Sequence, residues 1–308
     1  MCQITRKRDV ATIARPFVKW AGGKGNLLQE LEALLPTDFD ELENVTYIEP
    51  FVGGGAMLFH MLQHHKCITR AVINDINADL IRCYQLIANE PQILIDKLKI
   101  VESNYYSVDF TARKELFYAY RNQYNNEEIH ADDRAVLFIF LNHTCFNGLY
   151  RVNAAGKFNV PYGRYKKPVI CNEELIMADH RLLNSVEFVI RQPGDYKLVR
   201  QNLSKTNSNF VYFDPPYRPL STTSSFKAYS NNPFEDKQQE ELKRFCDWLS
   251  TQRCRIMQSN SDSKTEAGDS YFDLLYEGYD IQRIYASRFI NATPERRKKL
   301  TEVVVRNF

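Results

Sequence analysis

The chain has 308 residues, 44% hydrophobic and 25% charged, a composition that excludes fibres and intrinsic disorder and suits one large domain or one domain with an insertion. Its 40 Lys and Arg against 38 Asp and Glu leave a net charge of +2, which neither demands nor excludes a nucleic-acid partner. The longest apolar run, Ala135 to Leu141, falls far below the ~20 residues of a membrane helix, and the first residues lack a signal-peptide core. The 7 cysteines contain no C-x-x-C pair, so we expect a soluble, unexported chain of reduced cytoplasmic thiols, with neither a disulfide framework nor a zinc site.

A basic cluster, Arg6, Lys7, Arg8, Arg15, Lys19 and Lys24, opens the chain, and an acidic one follows at Asp38 to Glu43. The first strand is predicted at Thr46 to Ile48; it runs into Glu49-Pro50-Phe51-Val52-Gly53-Gly54-Gly55 and a helix over Ala56 to Gln63. A second strand, Ala71 to Ile73, ends at Asp75 in the segment VINDIN, and a helix over Ala78 to Ile87 follows. From Asn77 to Cys171 the rhythm breaks into helices and then a basic loop region with no clear parallel strand, which an inserted domain explains. Strands resume at Ser185 to Ile190 and Phe210 to Phe213. A helix over Asp236 to Ser250 has Leu242, Phe245 and Leu249 on one face. Further strands are predicted at Arg255 to Gln258, Ile281 to Ala286 and Leu300 to Arg306, the last preceded by the basic run Arg296 to Lys299. Strands alternating with helices predict an α/β fold whose mostly parallel sheet is covered on both sides.

The glycine loop after the first strand brings backbone close to a ligand at the carboxyl edge of such a sheet, where a side chain would collide. Asp75, after the next strand, can accept hydrogen bonds from both hydroxyls of a ribose. A nicotinamide dinucleotide fits less well, because the third glycine of G-x-G-x-x-G would fall at Leu58 and Glu49 would repel a pyrophosphate. S-adenosylmethionine, without phosphates and with a cationic sulfonium, fits better. A glycine-rich helix entry that binds nothing has the same pattern.

Asp214-Pro215-Pro216-Tyr217 follows the strand FVYF and so shares the sheet edge with the glycine loop. An exocyclic amino group is a poor nucleophile because its lone pair is delocalised into the base. It attacks only when acceptors hold its N–H groups and favour a pyramidal nitrogen. Asp214 supplies one acceptor and the Pro215 carbonyl the other; two prolines fix where they point, and Tyr217 can stack on an extruded base. The rival reading is a Pro-Pro turn capped by Asp214. Between Asp75 and Asp214 lies far more chain than one or two βα units need. Within it, Arg134 to Asn172 carries Arg151, Lys157, Arg164, Lys166 and Lys167 but no acid, interleaved with Phe146, Tyr150, Phe158, Tyr162 and Tyr165. By charge alone that is a solvated basic surface; attached to a base-modifying core, it is suited to touching phosphates and bases.

Four separated motifs, FVKWAGGK at Phe17 to Lys24, YIEPFVGGGAMLF at Tyr47 to Phe59, FNGLYRVNAAGKFNVPYGRYKKP at Phe146 to Pro168 and YFDPPY at Tyr212 to Tyr217, resemble those of the Dam-type, D12-class DNA adenine-N6 methyltransferases, over nearly the whole chain. The resemblance implies a Rossmann-like S-adenosylmethionine-dependent methyltransferase sheet. Residues 1–76 and 172–308 would form the catalytic domain, and 77–171 a mostly helical target-recognition domain. It implies that Trp20, Lys24, Glu49, Phe51, Gly53, Gly55, Asp75, Asp195 and Asp214 surround the cofactor, with Asp195 near its adenine, and that Asp214, Pro215, Pro216 and Tyr217 are catalytic. Double-stranded DNA would be the partner, methylated within GATC by base flipping. Arg151 would read a guanine and Lys19 the first guanine; Leu149 and Pro161 would press on the thymine methyl, and Phe146 would wedge into the stack, with Asn147 and Asn153 of the same loop also binding the DNA. Ile290 to Pro294 depart from the family's glycine-containing turn, which puts phosphate contacts by Arg296 to Lys299 in doubt. The expected state is a monomer in the bacterial cytoplasm or nucleoid, needing no metal and no membrane, with any cognate restriction nuclease acting separately. An RNA base methyltransferase could use the same Asp-Pro-Pro-Tyr chemistry without a groove-reading loop, and a regulator that has lost catalysis would keep the basic insert.

Overall fold

The computed structural model describes residues 13–126, 128–218, 234–262, 270–286 and 300–308. Arg6, Lys7, Arg8, the Ile290 to Pro294 turn and the Arg296 to Lys299 cluster lie outside them. Among the described residues no helix is long and apolar enough to cross a membrane, and the six described cysteines are free.

Strands β1 (Val45–Glu49), β2 (Ile68–Ile73), β3 (Glu187–Ile190), β4 (Asn209–Phe213), β5 (Arg255–Ser261), β6 (Asp280–Ala286) and β7 (Leu300–Arg306) form one sheet in the order β3-β2-β1-β4-β5-β7-β6. β1 to β5 run parallel, and β7 pairs antiparallel with both β5 and β6. This is a Rossmann-like α/β sheet whose strand order reverses between β1 and β4, the place where such sheets open a crevice beyond their carboxyl ends. β1 and β4 are buried along their whole length. Their side chains alternate between two cores: Phe210 and Tyr212 face one, Val211 and Phe213 the other.

Helices α1 (Leu28–Glu32) and α2 (Ala56–His64) flank β1, and α3 (Ala78–Asn89), α4 (Pro91–Ser107), α5 (Ala112–Tyr124), α6 (Ala131–Thr144) and α7 (Glu173–Leu183) lie between β2 and β3. α8 (Asp236–Thr251) precedes β5, and α9 (Tyr271–Leu275) precedes β6. Local chemistry sets several starts: the Asn77 side chain accepts from the Leu80 amide to begin α3, Asn172 does the same with Leu175 for α7, and Glu235 and Gln238 form a capping box on α8. The apolar run Ala135 to Leu141 is the middle of α6, buried on every side because α3, α4 and α5 pack around it.

Several strand and helix ends run one to three residues beyond the sequence reading, β1 to Val45 and Glu49 and β5 to Ser261 among them, and two ends have a clear local cause. β3 begins at Glu187 rather than Ser185, because the Ser185 amide and hydroxyl both donate to the Leu182 carbonyl and close the end of α7. β2 ends at Ile73, two residues before Asp75, because the Asn74 side chain turns to donate to the Pro50 and Gly194 carbonyls.

Candidate active site

The glycine loop joins the carboxyl end of β1 to α2. Gly53 and Gly55 have φ of 49° and 78°, and Gly55 forms the N-cap of α2. A Cβ on Gly53 would lie 2.7 Å from the Trp20 ring, and one on Gly55 2.4 Å from the Tyr84 hydroxyl, so both positions require glycine for space as well as for backbone. Tyr84 donates to the Gly53 carbonyl at 3.0 Å, which pins the loop from below. Phe51 leaves the loop to stack on Tyr196 at 5.2 Å.

Asp75 is 9% exposed and faces this loop: its carboxylate accepts from the Gly53 amide at 3.0 Å and the Asn77 amide at 2.9 Å. Burial pushes its pKa up, while those amides oppose the rise. Each oxygen keeps a free lone pair after one such bond. Glu49, the last residue of β1, is buried and accepts from the Tyr47 hydroxyl at 2.7 Å. Burial drives its carboxyl well above the usual range, and neighbouring Asp214 and Asp75 add to that. Asp195 is exposed; it caps the turn Tyr196–Asn202 by accepting from the Lys197 amide, and Gly194 beside it donates to the Asp75 carbonyl at 3.1 Å.

At the end of β4, the Asp214 carboxylate lies 2.8 Å from the Lys24 ammonium, which also meets Glu302 of β7 at 3.1 Å and hydrogen-bonds the Tyr217 hydroxyl. Tyr217 in turn donates to Glu302 at 2.6 Å. The Lys24 side chain is 3% exposed and that of Asp214 21%. Burial works against the charge of Lys24, but Asp214, Tyr212 and Glu302 hold its pKa well above the ordinary value. Burial pushes Asp214 up to about 6, with Lys24 pulling it down and Glu302 pushing it up. Pro215 is buried and Pro216 exposed; the Pro216 carbonyl is turned to Gln239 of α8.

Lys19, Phe146, Asn147, Leu149, Arg151, Asn153 and Pro161 form a separate surface. Residues 145–162 make a loop pinched by bridges Cys145–Tyr162 and Val152–Phe158. Phe146 is 52% exposed at its tip, and Asn147 adopts φ 56°. Arg151 is exposed and donates to the Asn159 side chain at 2.7 Å. Asn153 accepts from the Ala155 and Lys157 amides, which shapes the turn, and the Pro161 carbonyl accepts from the Phe146 amide. Lys19 is exposed, its ammonium 5.1 Å from the Tyr165 ring. Trp20 connects the two surfaces, with one edge against Gly53 and its face stacked on Tyr150 at 5.6 Å.

Sequence reasoning missed Glu302, Asn142 and Ile76. The only signal for Glu302 was an acid in an apolar strand, and for Asn142 an amide closing an apolar run. Ile76 was legible as an apolar residue beside Asp75, and is 63% exposed.

A family model for D12-class N6 adenine-specific DNA methyltransferases matches residues 20–289. The chain is 41% identical to the Type II methyltransferase M.MjaIII of Methanocaldococcus jannaschii, over 96% of this chain and 99% of that protein. It is 35% identical to the Type II methyltransferase M1.LlaDCHI of Lactococcus lactis subsp. cremoris, covering 96% and 95%. With the DNA adenine methylase of Escherichia coli K12 the identity is 31%, covering 94% of each.

Proposed function

This chain belongs to the D12 class of N6 adenine-specific DNA methyltransferases, and from that membership we propose that it methylates adenine within GATC of duplex DNA, using S-adenosylmethionine and extruding the target base. The observation that carries the reading is the meeting of Lys24, Asp214, Tyr217 and Glu302 at the strand-order reversal, beside the glycine loop and Asp75.

The residues present fit S-adenosylmethionine. Asp75, oriented by two amides, suits a ribose diol; exposed Ile76 suits an apolar ring face; Asp195 sits at the rim of the same edge. Gly53 and Gly55 keep side chains out of the way, and Trp20 and Phe51 wall the loop. Buried Glu49 and Asp75, with partly exposed Asp214, favour a cationic ligand. When bound, this cofactor supplies an electrophilic methyl group on a cationic sulfur. Asp214 then holds one N6 proton of the adenine at a carboxylate oxygen and the Pro215 carbonyl holds the other, so the nitrogen lone pair is turned out of the ring toward the methyl carbon. Lys24 and Glu302 fix Asp214 and Tyr217 in place, and the Tyr217 ring stacks on the extruded base.

The segment 77–171 serves in this reading as the target-recognition domain. Arg151 reads a guanine edge, Lys19 the first guanine, Leu149 and Pro161 the thymine methyl, and Phe146 wedges into the base stack. Asn147 and Asn153 shape the loop that holds them there.

Removing Asp75 by Asp75→Ala will weaken S-adenosylmethionine binding by about 1.5 to 3 kcal/mol through lost charge-assisted hydrogen bonds. Calorimetry that finds unchanged affinity moves the cofactor elsewhere. Arg151→Ala will cost about 1 to 3 kcal/mol of discrimination at one base pair of GATC. The check is single-turnover methylation of duplexes each changed at one position; uniform loss, with the salt slope reduced by about one unit, would make Arg151 a phosphate contact instead. Labelled transfer to duplex DNA against RNA, followed by nucleases that differ in sensitivity to GATC methylation, tests the whole reading. Transfer to RNA, or digestion unchanged at GATC, overturns it.

A further inference from the structure

Asn142 lies in the last turn of α6, one residue beyond its apolar run, and is 3% exposed. Its side-chain amide is engaged by backbone of two segments, one far back in sequence and one just past the end of α6. Oδ1 accepts from the Lys19 amide at 2.8 Å, and Nδ2 donates to the Lys19 carbonyl at 2.8 Å and to the Gly148 carbonyl at 3.0 Å. One N–H acceptor and two carbonyl-facing donors match the two ends of an asparagine amide, and no other side chain of that size offers both. The grip is reciprocal at residue 19, as a strand neighbour's would be, so it fixes both peptide groups that flank the Cα of Lys19.

Gly148 completes the arrangement. Its φ is 64°, and a Cβ there would lie 2.3 Å from Cδ of Lys19. The aliphatic stem of Lys19 therefore crosses the bare backbone of Gly148 to carry its ammonium toward the Tyr165 ring. The neighbouring Trp20 lies against Gly53 on one side and Tyr150 on the other. The amino-terminal segment and the loop 146–151 are thus registered against each other at residue 19 before any DNA is present.

We infer that Asn142 is a positioning residue for sequence discrimination: it sets Lys19 in register with the loop carrying Phe146, Leu149 and Arg151, so that two segments remote in sequence present one reading surface. The inference rests on the reading of Lys19 as a base contact given above. A buried amide with three backbone bonds would be kept for folding alone if it only stitched the core. What points to register is that all three bonds end on residue 19 and residue 148, whose side-chain stem and bare backbone touch each other at the reading surface.

The test is single-turnover methylation of a GATC duplex and of duplexes changed at one base pair each, by wild type, Asn142→Asp, Gly148→Ala and Lys19→Ala. Asn142→Asp keeps the acceptor for the Lys19 amide but turns an anion on two carbonyls; Gly148→Ala displaces the Lys19 stem and leaves the amide intact. Both should lower discrimination at least tenfold at the base pair where Lys19→Ala loses it, with S-adenosylmethionine affinity changed less than twofold by calorimetry. Equal loss on every duplex, or discrimination retained, overturns the inference. If Lys19→Ala loses discrimination while both other variants keep it, positioning by Asn142 fails alone. If Lys19→Ala discriminates as well as wild type, the base-contact reading of Lys19 fails and takes the inference with it. Should Asn142→Asp not fold, Gly148→Ala decides by the same readout.

Discussion

Asp214→Ala will yield a folded protein whose methyl transfer is slowed roughly 100- to 1,000-fold, the scale expected when one preorganised hydrogen-bonding group at a reacting atom is lost. The fold survives because Lys24, the partner left behind, still has Glu302 at 3.1 Å and the Tyr217 hydroxyl. The effect falls on chemistry because Asp214 lies at the carboxyl end of β4 with its side chain 21% exposed, the only member of the Lys24–Asp214 pair open enough to meet a substrate. Its pKa, pushed up to about 6 by burial against the pull of Lys24, adds a second readout. A protonated carboxyl has lost acceptor capacity for the N6 hydrogen, so kcat/KM will fall as pH drops through that region. Asp214→Asn, which cannot titrate, will lack that acid limb. Single-turnover rates from pH 5 to 8 decide: a variant retaining more than about a tenth of the wild-type rate ends the nucleophile-orienting role.

Lys24→Met will destabilise the protein by about 3 to 5 kcal/mol at neutral pH, the usual cost of breaking a buried ion pair by removing one partner. The lysine is 3% exposed and stands between two carboxylates, with side chains 21% and 10% exposed. Deleting it leaves Asp214 and Glu302 facing each other with no cation between them. Asp214, already pushed up to about 6 by burial against the pull of Lys24, will then titrate higher still, so the folded state holds more protons than the unfolded one at intermediate pH. Stability must then rise as pH falls. Urea unfolding at pH 7.5 and 5.5 will show a large deficit that partly recovers at the lower value. A deficit below about 1 kcal/mol, or one independent of pH, would mean that the lysine is not what holds these acids together.

Much of this site was legible because its chemistry is local in sequence. The glycine loop, Asp75 and Asp-Pro-Pro-Tyr each follow an apolar strand, and parallel strands bring all their carboxyl ends to one edge. What the sequence hid is what comes from pairing order. Glu302 reaches Lys24 only because β7 inserts antiparallel between β5 and β6, and nothing in LTEVVVR states which strand it will join. Asn142 was hidden for a related reason: its partners are backbone groups of Lys19 and Gly148, and backbone atoms leave no mark on residue type. Glu49 looked like a loop residue because Pro50 follows it. It belongs to β1, and the Asn74 amide donates to its carbonyl at 3.1 Å, continuing the β1–β2 contact past the end of β2.

The helix α6 has a practical consequence for anyone seeking to redirect this enzyme to new sites. Its residues from Ala135 to Leu141 belong to the same continuous apolar cluster as Tyr47 of β1, Ala71 of β2 and Met57 of α2. A graft that exchanged the whole stretch between β2 and β3 for that of a relative would replace half of a shared interior and face the host with mismatched volumes, each misfit costing on the order of 1 to 3 kcal/mol. Residues 145–162 contribute less to it: Cys145, Phe158, Val160 and Tyr162 are buried in the cluster, but the Cys145–Tyr162 bridge closes the loop at the end of α6, the Val152–Phe158 bridge pinches it further out, and most of its charged and amide side chains are exposed. Retargeting by recombination should cut there, keeping Asn142, Cys145 and Tyr162 as the host's own socket.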